Sequence, residues 1–341
     1  MNYLDLFSGI GGFHLGILQA GVKIDKCYFS EIDKYATQIY KRHFPTSIEL
    51  GDIKGIKSET LGKIDLVTFG FPCQDLSIAG KRAGLGGARS GLFFEAMRLI
   101  KELRPSIFIF ENVKGLLTSN EGKDFEVVLR EIADIGIYEC EWQLVNTSWV
   151  LPQNRERIYF IGHFGEGSGQ KVFPIQEDEG LFNQKTNNEI ASCFQSTYYK
   201  GGVGAGHTLI KMTQSLPDAQ RIREITGNSV TLKGLGGGQG AKTGLYAIPV
   251  LTPNRKEKRQ NGPRFKNNND PMFTLTAQDL HGIFDGIDIR RLTPKEGLRL
   301  QGFPDNYLDG SDTAKYKSIG NAVSVPIVKM IIERLFQCPT S

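Results

Sequence analysis

The chain has 341 residues, of which 40% are hydrophobic and 23% charged, a composition typical of folded proteins with one or two domains. The formal net charge is +4, no run approaches the roughly 18 apolar residues of a membrane span, and no basic leader precedes the first apolar run, so neither feature is expected. Five scattered cysteines, none spaced as Cys-x-x-Cys, argue against a disulfide framework or a structural zinc site and favour a reducing cytoplasm.

The first half of the chain alternates short apolar runs, rich in Ile, Val and Phe, with segments of helical periodicity. Strands are predicted at 2–7, 24–29, 64–70, 106–110, 137–145 and 157–164, and helices at 33–43, 92–103 and 123–135. This alternation is typical of βα units. It predicts an α/β fold with a doubly wound, mostly parallel sheet.

From about residue 166 the composition changes, with eleven glycines in 201–244 and little helical periodicity. A sequence echo argues against a disordered linker, because three similar units begin at Ala191, Ser229 and Met272 and each closes on an apolar pair. We expect short strands joined by glycine-rich loops, which would form a second, smaller and irregular β-rich domain. Helical pattern returns at 294–301 and 323–336.

The same part of the chain is strongly basic. Residues 200–266 contain twelve Lys or Arg and three Asp or Glu, a net charge of +9, so the remainder of the chain carries −5. A basic block in an otherwise acidic protein is typical of a surface that binds a polyanion such as nucleic acid. A solvated basic loop would have the same composition, and charge alone does not separate the two.

A glycine-rich segment, Asp5–Gly12, follows the first predicted strand. Glycines there let the backbone approach a ligand at the carboxyl edge of the sheet, although their spacing differs from the Gly-x-Gly-x-x-Gly fingerprint of nicotinamide-binding proteins. Glu31, at the end of the second strand, is placed to bind ribose hydroxyls, and Asp52, further along, to meet an adenine amino group. Each alone could be a cap or a turn residue. Together they favour a nucleoside pocket.

Cys73 follows the strand predicted at 64–70, between Pro72 and Gln74. Most free cysteines are small buried hydrophobic residues, but this one falls in a loop at the carboxyl edge of the sheet. Glu111 ends the next predicted strand, where an acid could also be a simple strand terminator. A cysteine and an acid at neighbouring strand ends indicate a nucleophile and a proton donor that face one substrate.

Two arginines precede the last predicted strand of this half. Arg155 and Arg157 share a face at a spacing of two, so both can point into one cleft, whereas Glu156 would point the other way. A surface ladder of ion pairs with Glu156 is the alternative. Cationic groups beside a cysteine would lower its pKa and favour the thiolate.

In this order the segments resemble the motifs of the cytosine-5 DNA methyltransferases of the bacterial and phage restriction-modification type. The matching segments are Asp5–Gly12, Glu31, Asp52, Pro72–Gln74, Glu111–Val113, Gln153–Arg157, Arg291–Glu296, Gln301–Pro304 and Gly320–Val323. The resemblance implies the Rossmann-like fold of S-adenosylmethionine-dependent methyltransferases. It places a catalytic and cofactor-binding domain at 1–170 plus 307–341, a target-recognition domain at 171–292 and a hinge at 293–306.

The resemblance also implies a mechanism. Cys73, flanked by Pro72 and Gln74, would attack carbon 6 of a cytosine swung out of the duplex. Glu111 would protonate nitrogen 3 of the base, while Arg157 and Arg155 would hold its carbonyl oxygen. Carbon 5 would take its methyl group from S-adenosylmethionine, leaving S-adenosylhomocysteine, and no metal is required.

The cofactor would lie against Phe7. Ile32 stands where some relatives place an aromatic ring, so stacking on the adenine would be weaker. The implied cofactor-binding residues are Phe7, Gly9, Gly11, Gly12, Glu31, Ile32, Asp52, Ile53, Pro72, Leu92, Asn321 and Val323.

Double-stranded DNA is the implied partner. Residues 80–91 resemble the family's mobile catalytic loop, whose basic side chains would contact phosphates. Thr231 and Thr274 each begin a Thr-Leu dipeptide of the kind that lies beside the flipped base, and the sequence does not separate them. The implied DNA-binding residues are Lys81, Arg82, Arg89, Gln220, Arg221, Thr231, Lys233, Gln239, Arg255, Lys256 and Thr274. A monomer and a cognate restriction endonuclease that acts separately are further expectations.

Three other functions fit parts of the sequence. Some relatives methylate cytosine in transfer RNA with the same chemistry, but the long basic insertion favours a duplex reader. A non-catalytic protein on the same fold should have lost Cys73, Glu111 or the paired arginines, and all are present. A nicotinamide oxidoreductase is disfavoured by the glycine spacing.

Overall fold

The computed structural model describes residues 1–71, 91–165, 171–175, 248–253, 265–266, 270–284 and 289–336. The chain divides into two compact units. Unit 1 comprises Met1–Asn146, Glu156–Gln176 and Asn321–Ser341, and unit 2 comprises Thr147–Arg155 and Glu177–Gly320. The predicted domain boundaries and the hinge stay predictions.

Unit 1 is built on a seven-stranded sheet in the order β3-β2-β1-β4-β5-β7-β6. Its strands are β1 (Asn2–Leu6), β2 (Lys26–Ser30), β3 (Ile48–Glu49), β4 (Leu66–Phe69), β5 (Ile107–Val113), β6 (Tyr138–Asn146) and β7 (Glu156–Phe164). The pairs among β1 to β5 are parallel, and β7 is antiparallel to both of its neighbours. Because the strand order reverses between β1 and β4, their carboxyl ends flank the crevice where such sheets bind ligands.

Helices cover both faces of this sheet. They are α1 (Gly12–Gln19), α2 (Lys34–His43), α3 (Gly91–Leu103), α4 (Lys123–Ile135) and, at the end of the described chain, α7 (Val325–Phe336). Alternation along β1 explains the two layers. Leu4 and Leu6 join a core with Phe93 of α3 and Val128 of α4. On the other face, Gly16 of α1 packs so closely against α7 that an added Cβ would lie 2.5 Å from a methyl carbon of Val328.

Unit 2 contains a three-stranded antiparallel sheet in the order β10-β9-β8, from β8 (Ile248–Leu251), β9 (His281–Phe284) and β10 (Ile289–Arg291). Its small core is Ile248, Val250, Phe284 and Ile289. The helices α5 (Pro294–Gln301) and α6 (Asp312–Asn321) follow. A capping box between Thr293 and Glu296 begins α5, and Gly302 ends it in the left-handed conformation.

The predicted fold class is confirmed. The observed strands and helices match the predicted ones to within a few residues, and the small sheet fits the predicted β-rich recognition domain. The predicted ranges did not include helices α1 and α6 or the two-residue β3, because none of these has a clear apolar periodicity. Within the described ranges, no helix is both long and apolar enough to cross a membrane.

Candidate active site and cofactor site

The loop after β1 turns sharply into α1 by way of left-handed backbone. Phe7, Gly9 and Gly11 have φ angles of 50°, 54° and 87°, and Gly12 is the first residue of the helix. An added Cβ on Gly11 would lie 2.4 Å from Cε2 of Phe44, so only glycine fits there. At Gly9 an added Cβ would meet no atom within 4 Å. The loop is therefore packed on one side and open at Gly9.

Glu31 fastens this loop to the end of β2. Its Oε2 accepts a 2.8 Å hydrogen bond from the Gly9 amide, and its Oε1 accepts bonds of 2.8 Å from the amides of Ile32 and Asp33. Oε2 accepts only one of these bonds and keeps a second lone pair, so a fixed, partly exposed acceptor remains for a ligand hydroxyl. Beside it, the side chain of Ile32 is 75% exposed.

Asp52 is exposed, and its Oδ1 accepts a 3.0 Å bond from the Lys54 amide at the start of a short 3₁₀ helix. The Ser30 hydroxyl donates to the Gly51 carbonyl at 2.6 Å, which ties this turn to the end of β2. Ile53, by contrast, is 2% exposed and packs in the core. Asp52 can thus face a ligand, whereas Ile53 can offer only its backbone.

Three further predicted cofactor residues lie elsewhere in unit 1. Leu92 is in the first turn of α3 and is half-buried against the core. Asn321 is exposed at the end of α6, and Val323 is buried just before α7. Pro72, the remaining predicted cofactor residue, lies outside the described residues.

Glu111 and Arg157 form the charged part of the site. Phe69, the last residue of β4, pairs with Phe110, so Glu111 is the first residue of β5 that projects beyond β4. The strand was predicted to end at Phe110 but continues to Val113, because β7 pairs with this projecting end. Arg157 Nε lies 2.9 Å from Glu111 Oε1, and the two side chains are 14% and 11% exposed. The pair is therefore largely shielded from solvent, but a small part of each side chain is accessible to a ligand.

Glu156 points away from this pair, as its place in the strand predicted. Its carboxylate lies 2.9 Å from Lys114 Nζ, and both of these side chains are more exposed than the Glu111–Arg157 pair. Arg155, Glu156 and Arg157 therefore do not form the single surface ladder of ion pairs that was the alternative prediction. Alternate residues of β7 serve two different partners.

The chain that leads to Cys73 passes beside Glu111. Asn112 is 1% exposed; its Nδ2 donates to the Phe71 carbonyl at 3.5 Å, and its Oδ1 accepts from the Val113 amide at 2.8 Å. An added Cβ on Gly70 would lie 3.6 Å from Glu111 Oε2. Several predicted residues lie outside the described part of the chain, namely Pro72, Cys73, Gln74, Lys81, Arg82, Arg89, Gln220, Arg221, Thr231, Lys233, Gln239, Arg255 and Lys256.

Arg155 has surroundings that its sequence spacing did not indicate. It lies one residue before β7 and is 3% exposed, and its Nη1 donates to the carbonyls of Leu275 at 3.0 Å and Gly320 at 3.4 Å, all within unit 2. Thr274 lies on the same segment, and its hydroxyl donates to the Asn154 carbonyl at 2.5 Å. The described hydrogen bonds of Arg155 go to backbone carbonyl groups, which is typical of a residue that stabilises the fold.

Sequence reasoning missed two buried polar residues. Gln153 is fully buried, and its side chain bonds the Leu275 amide and the Leu300 carbonyl. Asp5 is fully buried beneath the glycine loop, where the hydroxyls of Thr68 and Tyr40 donate to it. The motif contained Asp5, but its partners are distant in sequence and could not be read from it.

The architecture defines the class of protein. A parallel sheet with one antiparallel strand, β7, and helices on both faces is the fold of S-adenosylmethionine-dependent methyltransferases. The solved structure of the S. pombe Dnmt2 methyltransferase matches it with a TM-score of 0.64 at 18% identity, over 99% of this chain and 98% of that one. The Entamoeba histolytica methyltransferase EhMeth matches with a TM-score of 0.63 at 17% identity, over 100% and 99%. At such identities the likeness shows the fold.

Sequence comparison gives the family. The profile of the C-5 cytosine-specific DNA methylases matches residues 1–337, and the chain belongs to this family. It is 33% identical to the type II methyltransferase M1.ScrFI of Lactococcus lactis subsp. cremoris over 350 residues, 98% of this chain and 77% of that protein. It is 29% identical to the orphan methyltransferase M.SPRI of Bacillus phage SPR over 427 residues, 98% and 97%. The predicted family is confirmed.

Proposed function

We propose that the protein transfers a methyl group from S-adenosylmethionine to carbon 5 of a flipped-out cytosine, within a specific duplex DNA sequence, through a covalent adduct with Cys73. The observation that carries the proposal is the Glu111–Arg157 pair at the carboxyl edge of the sheet, beside the chain that leads to Cys73. Family membership supports the methyl transfer to cytosine.

The charged pair suits recognition of a cytosine ring. Glu111 can share a proton with nitrogen 3, since Oε1 is held by Arg157 and Oε2 faces the Gly70 side. Arg157 uses Nε on Glu111 and Nη1 on the Glu156 carbonyl at 2.8 Å, and Nη2 remains to donate to the carbonyl oxygen of the base. This fixed donor would stabilise charge that develops on the ring.

In the proposed reaction the Cys73 thiolate forms a bond to carbon 6 as Glu111 delivers a proton to nitrogen 3. Carbon 5 thereby becomes nucleophilic. The cofactor, when bound, supplies a methyl group on a sulfonium. Loss of the carbon 5 proton, departure of the thiolate from carbon 6 and return of the nitrogen 3 proton then restore the aromatic base and the free enzyme.

The residues around the glycine loop fit the cofactor. Open space at Gly9, the fixed carboxylate of Glu31 and the exposed side chain of Ile32 would accept the ribose and one face of the adenine. The exposed Asp52 can take an amino group. None of the described residues form a cluster of three or more His, Cys, Asp or Glu that could hold a metal ion.

For the substrate, we propose duplex DNA that binds to the basic segment 200–266. The predicted DNA-binding residues outside this segment, Lys81, Arg82, Arg89 and Thr274, are part of the same proposal. The type II methyltransferase relative supports a role beside a separate restriction endonuclease. Cytosine in transfer RNA is the competing substrate.

The proposal is tested by incubating purified protein with labelled S-adenosylmethionine and either duplex DNA or transfer RNA. We expect label in duplex DNA only, and covalent trapping on duplex DNA that contains 5-fluorocytosine, which cannot lose a proton from carbon 5. Cys73→Ser should abolish both. Cys140→Ser is the matched control, because Cys140 is a half-buried free cysteine on β6. Trapping that survives in Cys73→Ser would show that another residue is the nucleophile.

A further inference from the structure

A buried polar network lies beneath the glycine loop of unit 1. Asp5 on β1 is fully buried and accepts hydrogen bonds from the Thr68 hydroxyl on β4 at 3.0 Å and from the Tyr40 hydroxyl on α2 at 3.1 Å. The Tyr3 hydroxyl lies 2.5 Å from that of Thr68, and His14 Nδ1 of α1 lies 2.9 Å from the Tyr40 hydroxyl. Side chains from β4 and α2 therefore meet at the carboxyl group of Asp5 on β1, and His14 of α1 joins them through Tyr40.

The directions of these bonds are consistent with one another. If Tyr40 donates to Asp5, then His14 must donate from Nδ1 to the Tyr40 oxygen. Burial lowers the pKa of His14 to about 4, so its ring is neutral at neutral pH and carries one proton to donate. The Thr68 hydroxyl, the Tyr40 hydroxyl and the His14 ring then each have a hydrogen-bond partner. A network of this kind rigidifies the elements that contribute to it.

The network supports the glycine loop from below. Asp5 lies two residues before Phe7, whose left-handed backbone is strained for a residue with a side chain. The rings of Tyr40 and Phe44 form the surface on which Gly11 rests, with an added Cβ 3.1 Å and 2.4 Å from them. Tyr40 also stacks on Phe29 of β2, with ring centroids 4.2 Å apart. Movement of Tyr40 would therefore displace both ends of the loop.

We propose that Asp5 and Tyr40 are positioning residues that hold the Phe7–Gly12 loop in the conformation that accepts the nucleoside part of the cofactor. The inference rests on the proposed function, since it takes S-adenosylmethionine as the ligand of this loop. Neither residue touches the cofactor, because both are fully buried. Their effect is on the loop, and through it on the cofactor alone.

The experiment compares wild-type protein with Tyr40→Phe, which removes one hydroxyl from the network. Tyr28→Phe is the matched control, because the Tyr28 hydroxyl is also buried and donates to the Leu61 carbonyl at 3.1 Å, away from the loop. We expect Tyr40→Phe to weaken binding of S-adenosylhomocysteine about fivefold, as for loss of one net hydrogen bond. It should raise KM for S-adenosylmethionine equally and leave kcat and KM for DNA unchanged.

Melting temperatures separate a local effect from general destabilisation. Both variants should melt a few degrees lower, but Tyr28→Phe should bind S-adenosylhomocysteine like wild type. Equal cofactor affinity in Tyr40→Phe and Tyr28→Phe would overturn the inference. If Tyr40→Phe does not fold, Thr68→Val removes the other bond to Asp5 with little change of shape and is judged in the same way. Wild-type protein that fails to bind the cofactor would instead refute the proposed function.

Discussion

The carboxyl edge of the sheet is built differently on its two sides. On the β1–β2 side, the groups that would meet a ligand are largely backbone, held in shape by glycines, Glu31 and a buried network around Asp5. On the β5–β7 side, two charged side chains, Glu111 and Arg157, project beyond β4 and hold each other. A rigid backbone suits binding of one ligand in one conformation, whereas charged side chains suit proton transfer. The comparison predicts that changes on the two sides affect different steps.

Glu111→Gln should have the largest effect. It preserves the shape of the side chain but removes the carboxyl group proposed to share a proton with the base, so kcat/KM for methyl transfer should fall about 10²- to 10³-fold. Binding of S-adenosylhomocysteine should stay within about twofold of wild type. Glu156→Gln, on the opposite face of β7, is the control and should keep its activity. An equal loss of cofactor affinity in Glu111→Gln would remove the distinction between the two sides.

Arg157→Lys and Arg155→Lys should separate chemistry from stability. Lysine at 157 keeps the charge but loses the planar donor set, so kcat should fall roughly 10- to 100-fold with little change in unfolding free energy. Lysine at 155 leaves two buried carbonyls poorly paired, so urea unfolding should show a loss of about 1–3 kcal/mol. If Arg155→Lys lost activity at full stability, Arg155 would act on the base, as the sequence spacing predicted.

The smallest effect is a pH dependence of stability on the β1–β2 side. Burial raises the pKa of Asp5 to about 8, aided by the charge of Glu31 and opposed by the hydroxyls of Thr68, Tyr40 and Tyr3. The folded state therefore keeps a proton that the unfolded state, with a carboxyl pKa of 3.8, has lost. Stability from this proton is full below about pH 4 and is lost as the pH rises through 8, by at most about 1.4 kcal/mol per pH unit.

The useful window for this measurement is pH 6.8–8, roughly between the ordinary histidine pKa and that of Asp5. Burial lowers the pKa of His14 and of His281 to about 4, so both are neutral there, and burial raises the pKa of Cys27 to about 11. Urea unfolding across the window should show stability falling with pH in wild type and a flatter profile in Asp5→Asn. Parallel profiles would mean that Asp5 is ionised in the folded protein throughout.

The sequence by itself determined the architecture and most of the candidate site. Strand and helix periodicity is local, because each residue's exposure follows from its neighbours two to four positions away. This periodicity predicted the sheet, its helices and the strand ends at which the Phe7 and Glu31 loops lie. The order of motifs also indicated the family, which the match over residues 1–337 confirmed. It placed Glu111 and Arg157 in one site without any knowledge of distance.

Only the tertiary structure decided which polar side chains meet. Asp5 accepts hydrogen bonds from Tyr40, which is 35 residues away in the sequence, and from Thr68, which is 63 residues away. Arg155 donates to the carbonyl of Leu275, which is 120 residues away. The spacing of Arg155 and Arg157 suggested one shared role, but β7 begins between them and the described bonds of Arg155 go to carbonyls of unit 2. Such pairings depend on which buried groups lack water and lie within hydrogen-bond reach after packing, and no local pattern in the chain encodes that.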